Sequence, residues 1–201
     1  MIRRIALASA LALVTAPVFA ATYALDPGHT QVVFSWNHFG YSNPTAQFRK
    51  IEGTLEFDAA HPTSGRVQVT IPLASVNSNV EKLDEHLLGE DFFDAARYPE
   101  ATFSSTKVEK GSGENHLKVT GNLSLHGVTR PVVLDVTVNK AGEHPMRKVQ
   151  AAGFDATATI KRSDFGIARY VPMVSDDITL RITTEAIDAK ALAEDTKKPK
   201  G

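Results

Sequence analysis

Cysteine is absent from all 201 residues. No disulfide can staple the fold, and the lipoprotein route, which acylates a cysteine at the new N-terminus, is closed. A G-x-S-x-G elbow and a glycine-rich phosphate loop are also missing, and with them the usual marks of a serine hydrolase or a nucleotide-binding protein. His38, His86 and His126 stand far apart, without the closely spaced ligand pairs of a zinc site, so no metal is expected. Basic charge is not in excess: 22 Lys and Arg face 23 Asp and Glu, which argues against a nucleic-acid partner. The one long apolar run, residues 5–14, is too short to span a bilayer. Repeats and low-complexity tracts are absent.

The chain does carry an address. Arg3 and Arg4 precede that apolar run, and Val18-Phe19-Ala20 forms a small-residue cleavage pattern. Residues 1–20 read as a cleaved signal peptide for general secretion to a bacterial periplasm. Residues 21–188 suffice for one domain with a real core. Residues 189–201 form a polar tail, helical at first and frayed by Lys197, Lys198 and Lys200.

Most of the domain alternates with a period of two. Thr30, Val32, Phe34, Trp36 and His38 share one face, as do Val67, Val69 and Ile71, then Leu117, Val119, Gly121, Leu123 and Leu125. Residues 48–57 read as one strand with a bulge or bend at Gly53. Ala152, Phe154, Ala156, Ala158 and Ile160 alternate with polar residues, and so do Ile178, Leu180 and Ile182. The pattern predicts an all-β fold of about eight antiparallel strands, enough to close a barrel around one small ligand. A two-sheet sandwich has much the same pattern. Glu52, Arg66, Lys118, Asp155, Lys161 and Arg181 occupy the opposite faces, where they would be costly against lipid, so the apolar sides point inward and the strands do not cross a membrane.

The alternation stops between strands 3 and 4. Val80, Leu83, Leu87 and Leu88 fall on one face of a short helix, capped by Asn77, Ser78 or Asn79 and stopped by a left-handed Gly89. Phe92 and Phe93, between Asp91 and Asp94, fit a turn that lays rings over an apolar opening. This insertion reads as a lid. The candidate contacts for an apolar tail are Phe34, Trp36, Phe48, Phe103, Leu125, Phe154, Ala156 and Ile160 in the barrel, Leu87, Phe92 and Phe93 in the lid, and Phe165. The small residues Gly121, Ala152, Ala156 and Ala158 on inward positions are expected to leave room for a cavity. Arg162 shares the inward parity, and a charge there needs a partner. Either Asp84 or Asp91 of the lid pairs with it, or it anchors a polar or phosphorylated head group, with His38 or His126 beside it.

Three motifs carry a resemblance. Asp84-x-His86-Leu87 leads to Asp91-Phe92-Phe93-Asp94 and Tyr98-Pro99-x-Ala101-x-Phe103. Gly121-x-Leu123-x-Leu125-His126-Gly127-Val128-Thr129-x-Pro131 follows, then Ile160-Lys161-Arg162-Ser163-Asp164-Phe165-Gly166. Together they resemble the YceI-like family of bacterial periplasmic proteins over nearly the whole mature chain. One departure is that Leu83 stands where the family usually has arginine. The resemblance implies a lipocalin-like antiparallel β-barrel that binds polyisoprenoid chains, isoprenoid quinones or fatty-acid derivatives. The expected role is therefore a periplasmic carrier with a bound lipid such as a polyprenyl chain or a quinone, no catalytic residues, and a monomeric or homodimeric state. Two alternatives stand beside it: a lipid-modifying enzyme using His86 or His126 with a carboxylate, and a filled barrel that serves as an interaction module for an inner-membrane redox partner.

Overall fold

The computed structural model describes residues 21–195. The leader expected over residues 1–20 lies outside the described residues, as do Lys197, Lys198 and Lys200. The chain forms β1 (Ala21–Leu25), β2 (Gln31–Ser35), β3 (Thr45–Phe48), β4 (Glu52–Phe57), β5 (Arg66–Pro72), β6 (Val76–Asn77), β7 (Glu100–Lys110), β8 (His116–Leu125), β9 (Val128–Glu143), β10 (Gln150–Lys161) and β11 (Asp177–Asp188). Helix α1 (Glu81–Leu88) lies between β6 and β7, and α2 (Ala189–Asp195) begins the tail. No helix among the described residues is long and apolar enough to cross a membrane.

β1 pairs with both β4 and β11, which closes β1–β4–β5–β7–β8–β9–β10–β11 into an eight-stranded antiparallel barrel. The other three strands extend three of these staves. β2 continues β1 along the same neighbour, with Leu25 opposite Ala186 and Ser35 opposite Thr179. β3 and β6 extend β4 and β5 in the same way, pairing with β2 and with each other. The three adjacent staves are thus broken, at residues 26–30, at residues 49–51 and at the 3-10 turn Leu73–Ser75. The single strand expected over residues 48–57 is therefore two, separated where Ile51 turns inward to 4% exposure. Gly53 does not mark that break. It sits within β4, where a Cβ would meet the Gln68 carbonyl oxygen and Leu25 Cδ1, each at 2.7 Å, so glycine here permits close approach rather than a bend.

Towards the end reached by β2, β3 and β6 the ring has two gaps. β6 pairs only with β3, and the β9–β10 ladder stops at Thr157 opposite Asp135. Helix α1 packs beside β6 at the first gap. The 3-10 turn Arg162–Phe165 occupies the second, where Phe165, only 1% exposed, clusters with Val132 and Ala158.

The helix is where the sequence placed it, but its ends differ. Asn77, Ser78 and Asn79 do not cap it: the cap position falls at Val80, with no side-chain bond. Instead Asp84 Oδ1 accepts from the Ser78 N–H at 2.6 Å and from Ser78 Oγ at 2.5 Å, tying the first turn back to the preceding strand. Gly89 is extended, with φ −69° and ψ 170°, rather than left-handed. The left-handed residue is Asp94, at φ 46°, whose N–H donates to the Gly89 carbonyl at 2.9 Å.

Candidate ligand-binding cavity

Because every strand alternates, one face of each stave points into the barrel and the inner surface is almost wholly apolar. That surface encloses two adjoining cavities of about 380 and 190 Å³. Val32, Ile71, Leu123 and Leu180 border both, so the voids abut end to end. Their lining follows β11 from Ile178 to Thr184, which at roughly 3.3 Å per residue is about 20 Å of strand. The larger cavity opens beneath the lid. The smaller runs into the closed half of the barrel, where Phe57 and Phe154 meet edge-to-face at 5.2 Å.

Most of the tail residues chosen from sequence border this space. Phe34, Trp36, Phe48, Leu125 and Ile160 line the larger cavity from the barrel wall, and Leu87, Phe92 and Phe93 line it from the lid. Phe103, Phe154 and Ala156 line the smaller one. Phe165 lines neither; its ring fills the β9–β10 gap. The adjacent lid rings diverge. Phe93 turns inward against Phe34 and Phe48, each 6.0 Å away between centroids, while Phe92 packs edge-on to His86 at 4.7 Å and lies 6.5 Å from Tyr170.

The small inward residues do not act as expected. Only Ala156 borders a cavity. The space over Gly121 is taken by the Phe103 ring, which a Cβ would strike. Ala158 lies in the cluster with Phe165, and Ala152, 2% exposed, lies in the main core. Both cavities are lined mainly by large apolar side chains, so three of these four small residues do not open them.

The polar candidates also need correction. Arg162 is 5% exposed and lines the larger cavity, but it pairs with neither Asp84 nor Asp91. Asp84 is held by Ser78, and Asp91 lies 3.7 Å from Arg169. The Arg162 guanidinium donates instead to three backbone carbonyls: Nε to Ser175 at 2.9 Å, Nη1 to Ile167 at 3.0 Å and Nη2 to Val174 at 3.0 Å. Burial lowers its pKa and the nearby Asp176 charge opposes that shift. Its role is to fold the loop of residues 166–175 back onto the barrel. His126 lies outside both cavities; it is left-handed at φ 52°, with Nδ1 3.0 Å from the Phe165 carbonyl oxygen and its ring 5.2 Å from Tyr98. His38 and His86 do line the mouth.

The histidine–carboxylate contacts of the described residues lie elsewhere. They are His29 with Asp26 at 3.0 Å, His61 with Asp58 at 2.9 Å and His144 with Glu185 at 3.9 Å, and none of these six side chains borders either of the two cavities. No cluster of metal-ligating side chains occurs among the described residues. Phe39, Ile167, Tyr170 and Val174 complete the mouth. The sequence did not mark them, because they lie in loops where no periodicity reports direction.

The profile of the YceI-like domain matches residues 23–186. The chain belongs to the YceI-like family. A UPF0312 protein of Pseudomonas syringae pv. tomato is 41% identical over 188 residues, covering 92% of this chain and 96% of that protein. Burkholderia cenocepacia BcnA superposes with a TM-score of 0.72 at 27% identity, covering 80% of this chain and 98% of BcnA. A polyisoprenoid-binding domain from Saccharophagus degradans, implicated in plant cell wall breakdown, has the same fold, with a TM-score of 0.64 at 17% identity over 85% of this chain and 99% of that one. Within this YceI-like chain, Leu83 contributes apolar surface to the cavity mouth at the position where the resemblance led to an expectation of arginine.

Proposed function

We propose that this YceI-like protein is a periplasmic carrier that holds a long-chain amphiphile tail-first in its barrel, with an uncharged head group at the mouth. The observation that carries this reading is the pair of end-to-end apolar cavities. Each CH₂ buried there contributes about 0.8 kcal/mol, so a chain is held without polar contacts. The fold shared with a polyisoprenoid-binding domain supports a linear prenyl or acyl tail. The choice of a neutral head, such as a quinone, follows from the mouth. Three N–H groups of Arg162 are already committed to carbonyls, Arg169 faces Asp91, and Leu83 brings no charge. A diphosphate would have to compete with these carbonyls and with Asp91 for either guanidinium, which favours a neutral head.

Binding rather than catalysis is supported by the histidines. General acid–base chemistry needs a histidine oriented within hydrogen-bond reach of its partner in the reacting space. His38 and His86 line the cavity without a carboxylate partner among the described residues. Secretion rests on the leader of residues 1–20.

Protein purified from the periplasm of its native host and extracted with organic solvent should yield about one long-chain neutral lipid per chain by mass spectrometry; an empty extract would refute the carrier role. Ala156→Trp should divide ligands by length. Its side chain enters the smaller cavity, so a short prenyl quinone that fits the larger one still binds, while a long-chain homologue loses affinity at least about tenfold. Equal affinity for both would place the tail elsewhere.

A further inference from the structure

Seven large hydrophobic side chains are exposed among the described residues, and four of them stand on two neighbouring loops: Phe39 at 46%, Tyr41 at 92%, Tyr170 at 40% and Met173 at 60%. They belong to two loops, residues 37–43 and 166–175, stitched together by backbone. The Phe39 N–H donates to the Met173 carbonyl at 3.0 Å, and the Ser175 N–H to the Asn37 carbonyl at 2.9 Å. Arg162 secures the second loop from beneath. The patch is therefore a fixed surface, not a pair of loose tips.

Phe39 and Tyr170 are both surface and cavity wall. Phe39 and Tyr170 line the same cavity as Phe34, and Tyr41 and Met173 lie two and three residues along the chain from them. Neither loop contains an Asp or a Glu, and Arg169 is their one full positive charge. The acidic residues of the mouth, such as Glu81, Glu85, Glu90 and Asp91, stand on the lid side.

We infer that these two loops dock the protein on a lipid bilayer, with the four side chains in the headgroup–acyl boundary and the cavity mouth open towards the membrane. This inference rests on the lipid-binding function proposed above. Tyrosine pairs a ring with a hydroxyl tip and suits that boundary. Neither loop carries a carboxylate, and their one guanidinium, Arg169, is balanced by Asp91 of the lid, so the patch brings no net charge to oppose a zwitterionic bilayer. Because Phe39 and Tyr170 are exposed and also line the apolar cavity, the patch is continuous with the proposed lipid site, which favours a membrane over a second copy. The continuous apolar path lets a tail pass from bilayer to cavity without crossing water.

The test uses the full mature chain and phosphatidylcholine vesicles with and without phosphatidylglycerol, read by flotation. Wild-type protein should float with both. Tyr41→Ser combined with Met173→Ser should reduce the bound fraction about tenfold. Neither residue lines a cavity, so binding of a detergent-solubilised prenyl quinone should be unchanged in the double variant. That arm separates the two claims: loss of quinone binding by wild-type protein overturns the lipid-binding function, whereas retained quinone binding with no flotation overturns docking alone. Flotation insensitive to the double substitution also overturns it. So does a wild-type dimer in sedimentation that the double substitution dissociates, because the patch would then be covered by a second copy.

Discussion

Arg162 is the residue on which the mouth depends most. A buried guanidinium without an ion pair is retained because its planar fork matches three carbonyls at once. Arg162→Met keeps the stem and removes all the donors, leaving buried carbonyls unpaired at about 1–3 kcal/mol each. Urea unfolding should show a loss of about 3 kcal/mol or more, and Arg162→Lys should recover little of it, because one ammonium cannot reproduce the fork. The sequence indicated that this arginine was inward and needed partners. It gave no indication that the partners were backbone, since a carbonyl leaves no mark in the side-chain pattern. Gly121 misled for a related reason. A missing side chain reads the same whether the space is empty or filled by a neighbour, and here Phe103 fills it.

Among the elements, the lid divides its two phenylalanines between structure and access. Phe93 packs on Phe34 and Phe48, whereas Phe92 sits at the rim with His86 and Tyr170. Phe93→Ala should cost about 2–4 kcal/mol of stability by denaturant titration. Phe92→Ala should cost about 1 kcal/mol or less and should instead speed release of a bound quinone in a stopped-flow dilution. The helix and the paired rings were legible because periodicity changed from two to 3.6 and because two adjacent rings cannot share one side of a strand. The helix caps were not, because Ser78 and Asp84 exchange the roles their order implies. The unbroken staves were readable from alternation; the broken ones less so, because between Phe48 and Ile51 the break shows only as two successive exposed residues, Arg49 and Lys50, with no glycine or proline to mark a turn.

At the scale of the whole molecule, stability should respond to pH on both sides of neutrality through one cluster at the first strand break. Asp26, 5% exposed, is pushed up by burial. It is pulled further down by hydrogen bonds from His29 and the Gly28 N–H and by the charge of Arg147, and ends below its usual 3.8. His29 is raised above 6.5 by its bond to Asp26. A histidine that holds its proton more tightly when folded stabilises fully below pH 6.5, and the contribution fades as pH rises through the raised value. The Asp26 contribution is present above pH 3.8 and is lost as pH falls through the depressed value. His29→Gln should therefore flatten the alkaline decline in melting temperature between about pH 6 and 8 while leaving an acid-side loss in place.

The stretch after β6 has a further consequence. The loop and turn N–H groups from Leu83 to Tyr98 donate only to carbonyls between Val80 and Asp94, and no ladder joins this stretch to β6 or β7. It is a plank set in the flank of the wall, held by Asp84 to Ser78, by Asp91 to Arg169 and by the packing of Phe93. Swinging it out would break those contacts but no interstrand hydrogen bond, so the remaining staves would keep their register while a bulky guest slipped in sideways.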